Sequence, residues 1–164
     1  MSEQNLLIEV TDEQVNLMGD YGIDKLKYLE LFKHYQDEDS KQPKEMWRFI
    51  NQYEQHIFHF AEHLTEGKYR GGYWKMEQGF FVLQGGQGTK FNLKGSWGQE
   101  YELNIIEFSI VVNLFALSHL SCWAYGNGLE FINNMAVFFS DFVKDTMKKN
   151  AETLKTDEIY ALID

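Results

Sequence analysis

Residues 105–125 read IIEFSIVVNLFALSHLSCWAY, and how this stretch is read decides the fold. From Phe108 to Ala124 no side chain carries a formal charge. A helix this apolar must bury most of its circumference. It is short for a membrane span, holds Asn113, Ser118, His119 and Ser121, and follows directly on Glu107. The stretch therefore reads as a central core helix, and no membrane association is expected.

The neighbouring segments read as its packing partners. Gly126-Asn127-Gly128 breaks the helix. Residues 129–149 follow as an amphipathic helix carrying Ile132, Met135, Phe138, Phe139, Phe142 and Val143. Thr156-Asp157-Glu158 opens a last turn that ends at Ile163. Upstream, Met46, Ile50, Tyr53, Ile57, Phe60 and Leu64 recur at steps of three and four. That period predicts a long helix over 45–64 with one apolar stripe, closed by Gly67.

Between the two long helices the character changes. Residues 67–98 hold nine of the thirteen glycines. The runs 72–76, 80–84 and 89–94 have strand character, with Phe91 and Leu93 alternating with polar neighbours. Gly85-Gly86-Gln87-Gly88 reads as a hairpin turn. The expectation is a small antiparallel meander of about three strands over 72–94, packed against several helices. Residues 101–103 are either a fourth strand or the lead-in to the central helix. The fold class is α+β, in one domain spanning 1–164. Residues 1–45 read as a helical N-terminal segment: a capping box at Thr11-Asp12-Glu13-Gln14, then a second helix from Asp24 with Leu26, Leu29 and Phe32 inward.

At 44% hydrophobic and 16% aromatic residues, the chain is not a disordered one. Its one cysteine, Cys122, excludes an internal disulfide and fits a reducing compartment. With no basic region and apolar run at the N-terminus, the expectation is a soluble, cytoplasmic protein. The net charge is −10, and residues 1–40 hold ten acidic against three basic side chains. Such a chain repels phosphate backbones, so direct nucleic-acid binding is not expected. Acidity of this kind serves solubility, attraction to a basic partner, or imitation of DNA by a surface of carboxylates.

Several residue sets could carry chemistry. His59-Phe60-Ala61-Glu62-His63 matches the H-x-x-E-H pattern of inverted zinc peptidases. On a helix His59 and His63 lie one turn apart, as two zinc ligands need, with Glu62 as general base on the metal-bound water. No downstream carboxylate stands out as third ligand, and partly exposed histidines flanking an apolar stripe explain the same residues. The expectation is therefore no metal and no cofactor, with a zinc hydrolase as the alternative. His119 and Cys122 stand three apart, a conceivable thiolate–imidazole pair. Tyr73, Trp74, Phe80, Phe81 and Trp97 could stack bases beside Lys68, Arg70, Lys75, Lys90 and Lys94, or could pack the sheet on the helices.

One segment also points to a family. Tyr69-x-Gly71-Gly72-Tyr73-Trp74, followed by Gly79-Phe80-Phe81-Val82, resembles the signature of plasmid-borne antirestriction proteins of the ArdB/KlcA type. Phe115-Ala116-Leu117-Ser118-His119-Leu120-Ser121 is similar to that family's Ala-Leu-Asn-His-Leu-Ser helix, with Ser118 in place of Asn. Ile159-Tyr160-Ala161-Leu162-Ile163-Asp164 resembles its Ile-x-x-Ala-Ile-Asp ending. The resemblance runs from about Met46 to Asp164. It implies a compact α+β protein of mobile elements that relieves type I restriction without catalysis. It implies action through a host protein, the type I restriction-modification complex among the candidates. It supplies no catalytic residues. Tyr69, Arg70, Tyr73, Trp74 and Phe80 are the candidate partner contacts, since aromatic and arginine side chains anchor interfaces.

Overall fold

A computed structural model describes residues 44–69, 71–77, 80–85 and 88–163. The two helices expected within residues 1–43, and Arg70 and Asp164, lie outside the described residues. The elements run α1 (Lys44–Leu64), β1 (Tyr73–Glu77), β2 (Phe80–Gln84), β3 (Lys90–Lys94), β4 (Glu100–Asn104), α2 (Ile105–Gly126), α3 (Glu130–Lys149) and α4 (Thr156–Ile163). The class is α+β, with small antiparallel sheets packed against helices.

The stripe on α1 faces inward as its period requires: Ile50, Tyr53, Ile57 and Phe60 are buried, joined by Phe49 and Ala61. The helix ends in a Schellman arrangement. Gly67 N donates to Glu62 O at 2.9 Å and Glu66 N to His63 O at 3.1 Å. Glu66 takes the left-handed conformation at φ 54°, a position glycine usually holds.

Helix α2 is the core of the molecule. By length and composition it would span a membrane, yet 61% of its most apolar stretch is buried inside this fold. Its start is fixed by a capping box: Asn104 Oδ1 accepts from Glu107 N at 2.8 Å, and Glu107 Oε1 accepts from Asn104 N at 2.9 Å. Its end is fixed by Gly128 at φ 69° and by Leu129 N donating to Ala124 O at 2.9 Å. The buried Glu107 reaches further, because Oε2 accepts from Lys155 N at 2.7 Å. One carboxylate thereby caps α2 and holds the backbone at the head of α4. Helix α3 closes the other side of α2, with Phe139 against Phe49 and Tyr53 of α1 at 5.3 and 6.1 Å between centroids.

The expected three-stranded meander is replaced by two separate hairpins, β1–β2 and β3–β4, with residues 101–103 inside a fourth strand. The registers are antiparallel, Trp74 opposite Leu83 and Met76 opposite Phe81 in the first, Phe91 opposite Leu103 in the second. Gly85 and Gly88 thus fall between the two hairpins; Gly86 and Gln87 of the expected turn lie outside the described residues.

The physical reason lies on α2. Phe81 and Leu83 are two apart, so their backbone groups share one edge of β2. Asn113 occupies that edge: its Oδ1 accepts from Phe81 N at 3.1 Å and its Nδ2 donates to Phe81 O at 2.7 Å. One helical turn earlier, Ser109 Oγ accepts from Leu83 N at 3.0 Å. Two helix side chains thus take the place a third strand would fill. Asn113 Nδ2 also donates to Ser109 O at 2.6 Å, and its Oδ1 accepts the hydroxyl of the buried Tyr53. All four hydrogen-bonding positions of this buried amide are used, which locks α1, β2 and α2 together.

The second hairpin packs on the same core with Leu93 and Leu103 buried and Phe91 set against α2. Phe91 stacks on Phe108 at 4.0 Å and 5°, while Trp74 of the first hairpin meets Phe108 at 6.2 Å. Such ring pairs add about 0.5–1.5 kcal/mol beyond the area they bury.

Candidate functional site

The Tyr69–Phe81 segment is built mainly as scaffold. Thr65 Oγ1 accepts from Tyr69 N at 3.0 Å, which brings the chain back over the end of α1. Trp74 Nε1 donates to Tyr69 Oη at 2.6 Å, and the two rings meet edge to face. Partial burial raises the Tyr69 phenol pKa, opposed by the bond from Trp74. Gly71 sits at φ 89°, and a Cβ on Gly72 would come within 2.9 Å of Leu83 Cδ1 and 3.2 Å of Tyr69 Oη. The paired glycines therefore have separate duties, one conformational and one steric.

This placement corrects the candidate contact surface. Trp74 is 3% exposed and Phe80 fully buried, so neither is available to a partner. The reason is that all four residues 80–83 of β2 are buried on both faces, and Trp74 lies opposite Leu83. Tyr69 is half-buried, and Arg70 lies outside the described residues. Among the described side chains of the segment, Tyr73, 55% exposed, and the exposed Lys75 face solvent. The base-stacking platform loses Trp74, Phe80 and Phe81 to the core for the same reason. Its remaining rings, Tyr73 and Trp97, stand on different hairpins. Trp97, 89% exposed, rides a tight turn closed by Gly98 N donating to Gly95 O at 3.0 Å and Gly95 N to Gln99 O at 2.7 Å.

His59, Glu62 and His63 lie exposed along α1. The rings of His59 and His63 are parallel within 7°, with centroids 6.0 Å apart. Among the described residues no third His, Cys, Asp or Glu joins them in a metal-ligating group. The three-ligand centre that a zinc hydrolase requires is therefore not assembled by the described residues.

His119 and Cys122 line a cleft of about 490 Å³ between α2 and α3. Asp141 and Lys144 complete its polar wall, while Phe115 and Val137 supply apolar surface. Ser121 Oγ donates to Asn133 Oδ1 at 2.5 Å, tying the two helices beside it. Asp141 and Lys144 were not singled out from sequence. A usable signal was the polar set Ser118, Ser121 and Cys122 at helical spacing on an otherwise apolar α2, which marks a face that α3 leaves open.

No family model matches the chain, and no curated protein is significantly similar to it.

Proposed function

We propose that the chain is an antirestriction protein of the ArdB/KlcA type, acting in the cytoplasm. In this reading it relieves type I restriction by binding a host protein, the restriction-modification complex being the first candidate, and it catalyses no reaction. The observation that carries the reading is the ordered set of three motifs, which share one core. The Tyr-x-Gly-Gly-Tyr-Trp and Gly-Phe-Phe-Val blocks bracket the β1–β2 hairpin, which is bonded to α2 through Asn113 and Ser109. The Ala-Leu-Ser-His-Leu-Ser block lies in the C-terminal half of α2, with Ser118 and His119 exposed between buried neighbours, and the Ile159-Tyr160-Ala161-Leu162-Ile163 ending lies in α4, held to α2 through Glu107. The exposed Tyr73 and Trp97 are suited to anchoring a partner, because burying a ring on association removes a large apolar area from water.

The test is phage plating. Unmodified phage is plated on a host with an active type I system, with and without the protein, and on a restriction-deficient host as control. Plating that rises only in the restricting host is the expected result. Equal plating with and without the protein defeats the proposal.

A further inference from the structure

Four of the chain's five histidines, His56, His59, His63 and His119, fall on facing stretches of α1 and α2. Phe60 is the ring that His59, His63 and His119 share. It is 6% exposed and wedged against Phe115 at 5.8 Å and His119 at 4.5 Å. His59 meets its edge at 5.0 Å and 88°, and His63 meets it at 6.2 Å and 88°. Both imidazoles thus stand edge-on to one buried ring and parallel to each other, although both face solvent. His56 is turned to its own helix, where Nδ1–H donates to Gln52 O at 2.7 Å.

We propose that His59 and His63, one helical turn apart on the exposed face of α1, form a two-imidazole site for a borderline divalent transition-metal ion, with copper(II) held most tightly. The ligand class follows from the donors. Neutral imidazole nitrogen suits copper, nickel and zinc, whereas calcium and magnesium require oxygen. The order of affinity for one nitrogen set rises to copper(II). The rings stand parallel one helical turn apart with centroids at 6.0 Å, so turning each about its side-chain bonds brings the in-plane lone pairs together on an ion that takes each nitrogen at about 2.1 Å. With two protein ligands the remaining coordination positions open to solvent, free for water or for donor groups of a partner. The site is independent of the antirestriction reading.

Untagged full-length protein titrated with copper(II) chloride, followed by electron paramagnetic resonance, reads the site directly. A saturable one-to-one component with nitrogen hyperfine coupling is expected. It weakens at least about tenfold in His59→Ala and in His63→Ala, and likewise in the His59→Gln and His63→Gln variants, which keep a polar surface. In His56→Ala and His119→Ala it is expected unchanged. Both target side chains are exposed, so far-ultraviolet circular dichroism should show the native helix content in all variants. Copper binding that persists in the His59→Ala/His63→Ala double variant overturns the proposal, as does equal loss in His119→Ala.

Discussion

Replacing Asn113 by alanine removes one hydrogen bond from each of three buried groups in one step: the Tyr53 hydroxyl, the Phe81 N–H and the Phe81 carbonyl. The Ser109 carbonyl loses a second bond only, since it lies within the helical ladder of α2. A buried hydrogen bond contributes about 0.5–1.5 kcal/mol where the group keeps another partner, and three at the upper end of that range give about 4 kcal/mol. With a urea m-value of about 2 kcal/mol/M, the unfolding midpoint should fall by about 2 M. Tryptophan fluorescence and circular dichroism should report the same midpoint if unfolding is two-state. A double-mutant cycle isolates the network. Tyr53→Phe alone should cost about 1 kcal/mol, because it removes one good bond. In the Asn113→Ala background it should cost less, because the hydroxyl has already lost its bond to Asn113 and keeps only that to the Phe81 backbone. The reasoning is refuted if Asn113→Ala costs less than about 1 kcal/mol, or if the two changes add within about 0.5 kcal/mol.

Glu107→Ala should destabilise by about 3 kcal/mol, since a carboxylate bonding two backbone amides is lost, and hydrogen exchange across Thr156–Ile163 should accelerate more than across α3. Gly71→Ala places a Cβ at φ 89° and should cost about 1–2 kcal/mol, measured by denaturation. Burial raises the Tyr53 phenol well above its ordinary value of 10.0, against a smaller lowering by the Phe81 backbone. The folded value being the higher one, this stabilisation is complete below about pH 10 and is lost as pH rises beyond it. Alkaline stability curves should therefore fall less steeply in Tyr53→Phe, by up to about 1.4 kcal/mol per pH unit. Tyr73→Ala should leave stability within about 0.5 kcal/mol while reducing plating relief.

The helices were legible because their signals are local. The three-and-four stripe from Ile50 to Phe60, the uncharged run to Ala124 and the Gly126-Asn127-Gly128 break each fix an element within a residue or two. The grouping of strands was not legible, because it depends on Asn113 and Ser109 meeting β2 some thirty residues away. In sequence these are merely polar interruptions of an apolar helix. The contact surface was misread for a related reason. Alternation distinguishes faces only where one side of a strand meets water, and β2 is covered on both. The pairing of Asp141 and Lys144 with His119 in one cleft likewise exists only once α3 folds back on α2.

The seam between α2 and β2 also limits how this fold can vary. Four helical residues advance about 6.0 Å and two strand residues about 6.7 Å, so helix and strand keep step over a single repeat and then drift. Here the repeat runs from Asn113 on Phe81 to Ser109 on Leu83, and the next step brings Ile105 Cδ1 to 3.1 Å from where a side chain on Gly85 would begin. The strand stops at that point. Lengthening the hairpin toward Gly85 would demand a new hydrogen-bonding residue at Ile105 and a helix bent to meet it. Hairpin length is thus set by a mismatch of two periodicities, and insertions should be tolerated at the free ends of the hairpins rather than along this seam.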